Sequence, residues 1–310
     1  MPRRIVSLLP SATEIVCALG ASDELVGISH ECDFPPAIAD RPVLTRSRIG
    51  SGGSSRAIDL AVRAVLRDAL SIYSVDEDRL AALAPDVIVT QDLCEVCAVS
   101  LDDVRAAVAR LAGRRSVDIV SLSPTRLADV MGDIDRVGIA IGRADRALEV
   151  RVGLERRIAA IAARAAAAPT RPRVASIEWI EPIMLGGTWM PELIELAGGI
   201  AVGAAAGQPA PTIEPAALGA LAPDVVVVKP CGFTLARALA ERAAIERTIA
   251  DQVGGARVYV TDGSAFFNRP GPRLVESLEI LAACVHPDRF GDLALAHSGV
   301  IHRLLPAHSS

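Results

Sequence analysis

The sequence predicts an α/β fold: two Rossmann-like lobes with parallel sheets, joined by a single long backbone helix. Three observations predict it. Short Val/Ile-rich runs alternate with longer helical patterns, the signature of parallel α/β architecture. One layout occurs twice, as LAALAPDVIVTQDLC (Leu80–Cys94) and LGALAPDVVVVKPC (Leu218–Cys231), each a helix end, a Pro-Asp turn, a buried strand and a cysteine. Between the copies lies a stretch with helical spacing and no strand signal.

The strands expected in the first lobe are Arg4–Leu9, Leu25–Ser29, Val87–Thr90 and Val117–Ser121. Those of the second are Arg173–Ile177, Val225–Lys229 and Arg257–Thr261. Each is a continuous apolar run, as strands covered on both faces should be. From Arg126 to Ile141, Leu127, Val130, Ile134, Val137 and Ile141 recur at helical spacing. Arg143–Ala168 is rich in Ala, Arg and Glu and is stopped by Pro169 and Pro172. Helical throughout, that last segment would span roughly 39 Å. The expected divisions are therefore an N-terminal lobe over 1–125, a helical linker over 126–168 and a C-terminal lobe over 169–310.

A chain of 310 residues has room for two such lobes. Hydrophobic residues make up 51%, which excludes an intrinsically disordered chain, and aromatics only 3%, so Ala, Val, Leu and Ile must build the core. Thirty-two basic residues stand against 37 acidic ones without a basic run, so no nucleic-acid surface is expected. No uninterrupted apolar stretch reaches about eighteen residues, so no membrane-spanning helix is expected. The opening MPRRIVSLLPSATEIVCALGAS imitates a secretory leader, but Pro10 and Glu14 break its apolar part and Arg4–Leu9 reads as a first strand. The chain as given reads as cytoplasmic. Its six cysteines then default to thiols, metal ligands or redox groups rather than structural disulfides. Ser51–Ser55 is a flexible loop without the Lys or Thr of a phosphate cradle.

Parallel sheets take ligands beyond the carboxyl ends of their strands. The segments there are HECDFPP (His30–Pro36), QDLCEVC (Gln91–Cys97), EWIEPIMLGGTW (Glu178–Trp189), PCGF (Pro230–Phe233) and DGSAFFNRPGPR (Asp262–Arg273). They hold both tryptophans, four of the six cysteines and most of the phenylalanines. In an aromatic-poor chain this concentration points to a cleft lined by planar side chains and soft donors. Trp179 and Trp189 either contact a ligand or cap the second lobe's core. Phe266 and Phe267 are adjacent, so in extended backbone one faces inward and the other the cleft. His30, Cys32, Cys94 and Cys97 have the donor chemistry of a zinc or Fe–S site, or of a redox pair; the alternative is inert thiols. Cys17 and Cys284 lie on apolar helical faces and read as core. His286, His297, His302 and His308 lie in a polar C-terminal region and read as solvent-facing, as do the charges of the long helices. No GxSxG, HExxH, Walker or GxGxxG motif is present, and nothing pairs Glu178 or Glu181 with a base or metal. The pattern is that of a binding protein, not an enzyme.

The segment RRIVSLLPSATEIVCALGASDELVGISHECDFPP resembles the opening of the class III periplasmic binding proteins, especially the cobalamin-binding BtuF-like type. Agreement continues through DRLAALAPDVIV, PIMLGG, ELIELAGG and FFNRPGPRLVESLEILA, covering nearly the whole chain apart from an insertion around Thr45–Ser71. The resemblance implies two α/β lobes on one rigid helix. It also implies that a corrinoid such as cobalamin, or alternatively haem or a ferric siderophore, sits in the interlobe cleft and is delivered to an ABC permease. The loop that carries a ligand-contacting aromatic corresponds to HECDFPP, with Glu31 at the aromatic position and Phe34 nearby. The second lobe's contribution falls near Trp179 or Trp189, and the closing loop supplies Phe266, Phe267 and Arg269. Of the two acidic transporter-docking positions, the first corresponds to Asp78; the second falls on Ala216, with Glu214 nearby. A cytosolic metal- or cobalt-handling protein using His30 and the Cys32, Cys94 and Cys97 thiols is the remaining alternative.

Overall fold

The computed structural model describes residues 2–49, 52–67, 72–92, 104–105 and 116–304. They form two compact units, the first made of 1–52, 60–124 and 128–153, the second of 53–59, 125–127 and 154–310.

In the first unit β1 (Ile5–Ser7), β2 (Leu25–Ile28), β5 (Val87–Gln91) and β6 (Asp118–Leu122) form an all-parallel sheet in the order β2-β1-β5-β6. Helix α1 (Pro10–Ala18) follows β1 at once, with Pro10 in its first turn, where a missing N–H costs nothing. The leader-like segment is thus built into this fold: Ile5, Val6 and Ser7 are fully buried between β2 and β5. An antiparallel ribbon, β3 (Thr45–Ser47) and β4 (Tyr73–Val75), brackets α2 (Ser55–Arg67). This is the segment read as an insertion. Helix α3 (Glu77–Leu83) leads into β5 and is capped by Asp76, whose carboxylate accepts from the Arg79 N–H. The first unit also holds α4 (Leu127–Ala140) for the most part, and α5 (Ala144–Ala166) runs from the first unit into the residues of the second. The two helices are separate because Gly142 takes a positive φ of 72° between them. α5 ends short of Pro169, as expected.

In the second unit β7 (Arg173–Trp179), β11 (Val225–Val228) and β12 (Arg257–Thr261) are parallel, and Val225–Val228 is wholly buried. The sheet is mixed rather than purely parallel. β8 (Ile183–Leu185), β10 (Thr212–Ile213) and β13 (Ile301–Leu304) pair antiparallel at its edges, and β9 (Ile200–Ala201) adds to β7. Short edge strands of this kind commonly finish a parallel sheet. Helices α6 (Met190–Leu196), α7 (Pro215–Ala220), α8 (Leu235–Ala240), α9 (Arg242–Thr248), α10 (Leu274–Val285) and α11 (Gly291–Ala296) complete the unit.

The internal repeat is structural. Val87 pairs with Ile5 and Asp118, and its counterpart Val225 pairs with Val174 and Arg257. Strands β1-β5-β6 therefore correspond to β7-β11-β12, and Gln91 corresponds to Lys229. Two expectations are corrected by packing. His286 is buried with its imidazole against the Gly198 carbonyl, and the His297 side chain is 14% exposed and bonded to Glu279. Asp133, on a long helix read as solvated, is 2% exposed. Cys284 is core, as read, and burial pushes its thiol up to about 12; Cys17 is half-buried and its thiol is also raised by burial. His308 lies outside the described residues.

Candidate functional site

In the first unit the loop after β2 carries His30, Glu31, Cys32, Asp33 and Phe34, held by groups from the neighbouring ribbon. The Thr45 hydroxyl accepts from the His30 backbone N–H at 3.0 Å and lies 2.7 Å from Nδ1. Its own proton goes to the Ser29 hydroxyl at 3.1 Å. A hydroxyl has one proton, so His30 must donate from Nδ1 and leave Nε2 with its lone pair. Partial burial lowers the His30 pKa, opposed by the nearby Glu31 charge. Tyr73 stacks beside the His30 ring at 5.2 Å and donates its hydroxyl to Glu31 Oε1 at 2.9 Å. Phe34 is 41% exposed.

The Cys32 thiol obeys the same proton accounting. Ser7 donates to the Leu9 carbonyl at 3.0 Å, which can only accept, and Thr13 donates to Ser7 at 2.8 Å. The 3.0 Å contact between Cys32 and Thr13 must then run from thiol to hydroxyl. In this arrangement the Cys32 thiol donates to the Thr13 hydroxyl. Among the described residues no group of three His, Cys, Asp or Glu side chains could hold a metal ion. Cys94 and Cys97 lie outside the described residues.

In the second unit the ends of β7 and β11 and the loop after β12 converge on a buried charge. Lys229 is fully buried, and its ammonium donates to Glu178 Oε2 at 3.1 Å and Asn268 Oδ1 at 2.8 Å. Glu178 is therefore paired, contrary to the sequence reading, and Glu181 is paired as well, with Arg247 at 3.1 Å. Trp179, half-buried, meets Phe233 edge-on at 5.3 Å, and the Arg237 guanidinium lies over the other ring at 4.8 Å. The Trp179 indole N–H has no hydrogen-bond partner among the described residues.

Trp189 and Phe267 are corrections. Trp189 is 6% exposed and donates its N–H to the Phe267 carbonyl at 2.9 Å; Phe267 is fully buried, with its N–H on Ser277. Both serve the core, leaving no face for a ligand. Phe266, its neighbour, is half-buried between His297 and Arg273; the pair lies in a turn with Phe267 at a φ of 66°, not in extended backbone. Arg269 is buried at 8% exposure. Asp78 lies exposed on α3; Ala216 and Glu214 lie at the start of α7.

Polar and aromatic residues lie at the end of β2 in the first unit and at the ends of β7, β11 and β12 in the second, the places where parallel α/β sheets take small molecules. Residues 5–253 match the model of the periplasmic binding protein family, and the chain belongs to that family. No curated protein matches it. Among solved structures it is similar to a periplasmic haem-binding protein from Pseudomonas aeruginosa, with 21% identity and a TM-score of 0.67 over 93% of this chain and 94% of that one. It is similar to the haem-binding protein RhuT from Roseiflexus, with 21% identity and a TM-score of 0.67 over 95% and 100% of the two chains. It is also similar to the vitamin B12-binding protein BtuF of Vibrio cholerae, with 17% identity and a TM-score of 0.65 over 94% and 98%. At these identities the likeness shows the fold.

Proposed function

We propose that this chain is a substrate-binding protein that takes up a corrinoid, cobalamin or a close relative, and passes it to an ABC permease. The observation that carries the reading is the aromatic pair Trp179 and Phe233 at the ends of β7 and β11, set beside Glu178 in a chain with 3% aromatics. The half-buried Trp179 indole, edge-on to Phe233, is an apolar platform for a flat macrocycle. Within the second unit Phe266 is a further apolar contact. Asp78, exposed on α3, is the permease-facing acid.

A second reading, haem, is favoured by His30, because an imidazole that donates from Nδ1 and presents Nε2 is the form that binds iron. Titration with cyanocobalamin and with haemin, followed by absorbance and tryptophan fluorescence, separates the two. Cyanocobalamin is expected to quench fluorescence with saturation. Quenching should be largely lost in Trp179→Phe and retained in Trp189→Phe. Saturable haemin binding with no response to cyanocobalamin would overturn the corrinoid reading in favour of haem.

A further inference from the structure

A lysine with no exposed surface is costly unless its charge is matched and its protons are placed. Lys229 has its charge matched and two of its three N–H groups placed by a network that draws on three strand ends. Its ammonium reaches Glu178 from β7 and Asn268 from the loop after β12. The Asn268 amide is oriented without ambiguity, since its Nδ2 donates to the Lys229 carbonyl at 3.2 Å and the Gly263 carbonyl at 2.9 Å, leaving Oδ1 for the ammonium. Gly263 is required there, because a Cβ would overlap the Lys229–Pro230 backbone. The Cys231 N–H on the Glu178 carbonyl at 3.0 Å fixes the glutamate's backbone too.

The outcome is a carboxylate clamped on one side only. Glu178 Oε2 is committed to Lys229, Oε1 has no hydrogen-bond partner among the described residues, and the side chain keeps 18% exposure. The corresponding positions of the first unit are Leu9 and Gln91, both uncharged, so the sheet architecture does not itself need an ion pair here. Nor is a buried pair a means of gaining stability over apolar packing. The clamp instead presents a fixed acceptor at the end of β7, the strand end that also carries Trp179.

We propose that Lys229 is a positioning residue and Glu178 a specificity-determining one: Oε1 accepts a hydrogen bond from a carboxamide N–H on the rim of the bound macrocycle and repels a carboxylate at that place. The inference rests on the macrocycle reading above and narrows it to an amide-bearing ring. A hydrogen bond to a charged group, lost and replaced by like-charge repulsion, corresponds to about ten- to a hundredfold in affinity.

The test compares cyanocobalamin with its hydrolysed form, whose peripheral amides are carboxylates, on the wild type and on Glu178→Gln, Lys229→Met and the double variant. The double variant is included because Glu178→Gln alone leaves a buried ammonium unmatched; circular dichroism and urea midpoints report folding. The wild type should prefer the amide form, and that preference should fall about tenfold or more in the folded variants. A merely structural pair would move the midpoints and leave the preference alone. An unchanged preference in the folded double variant overturns the inference but not the function; failure of either macrocycle to bind the wild type overturns both.

Discussion

The Glu241 carboxylate takes both polar groups of Ser55, accepting its backbone N–H at 2.7 Å and its hydroxyl at 2.6 Å. Ser55 opens α2 and is fully buried, and Ile58 one turn on packs against the core of the second unit. Arg237 adds a bond to the Gly53 carbonyl. An unmatched buried N–H and O–H would follow from truncation, so Glu241→Ala should cost about 1–3 kcal/mol and Ser55→Ala about 1 kcal/mol. Urea unfolding measures both; equal midpoints for wild type and Glu241→Ala would contradict the assignment.

Asp133 should make stability depend on pH. Burial raises its pKa to about 6 against the pull of Arg136, which donates to Oδ1 at 2.7 Å, and Oδ2 has no partner among the described residues. The folded state therefore holds this proton to higher pH than the unfolded chain does. Stability should fall as pH rises from about 4 to 6 and level off above, with an order of 1–3 kcal/mol lost. Asp133→Asn keeps an acceptor for Arg136 and removes the charge. It should be more stable than wild type at pH 7.5, with the gain shrinking toward pH 4. A variant no more stable at pH 7.5 than at pH 4, relative to wild type, would refute this.

What the sequence made legible was whatever has a period or a repeat. The ALAPDV repeat locates β5 and β11 at equivalent places, and the apolar runs locate the inner strands, because strands buried on both faces carry no polar residues. The edge strands were not legible, since runs of two to four residues show no period. Thr45 was missed because it opens the segment read as an insertion and Tyr73 because it follows that segment directly, yet the ribbon they belong to holds Glu31 and His30 in place. Lys229 was read as a strand end and nothing more. Its fully buried state depends on Glu178 and Asn268, 51 and 39 residues away in sequence, a relation that no local pattern encodes. One signal was available: an acid and a base each closing an apolar run, in strands that the repeat made neighbours.

Gly198 ties α6 to α10 through His286. It has a positive φ of 84°, its carbonyl accepts from the His286 Nε2–H at 3.2 Å, and a Cβ would stand 2.8 Å from Nε2. Gly198→Ala combines backbone strain with a clash in a packed interior and should cost about 2–4 kcal/mol. His286→Gln, which can still donate, should cost less. Burial lowers the His286 pKa, so its contribution is complete above about pH 6.5 and is lost as pH falls below that value. Thermal unfolding at pH 7.5 and pH 5 checks both. A Gly198→Ala protein that melts like wild type would show that neither the strain nor the clash is real.

The proton order from Cys32 through Thr13 and Ser7 to the Leu9 carbonyl makes a prediction about metal. To ligate zinc or an Fe–S cluster, Cys32 would have to lose its proton, and Thr13 would turn its hydroxyl from Ser7 to the sulfur while Ser7 keeps the Leu9 carbonyl. Protein purified without chelator should therefore hold the same metal content in Cys32→Ser as in the wild type. Serine can still donate to Thr13, so folding and ligand affinity should be unchanged, within about 0.5 kcal/mol for stability. Thr13→Val removes the acceptor of the Cys32 thiol and the donor to Ser7, and should cost about 1–2 kcal/mol. Elemental analysis decides the point. Loss of one equivalent of zinc or iron in Cys32→Ser would support the metal reading of His30, Cys32, Cys94 and Cys97 and overturn the proton order argued above.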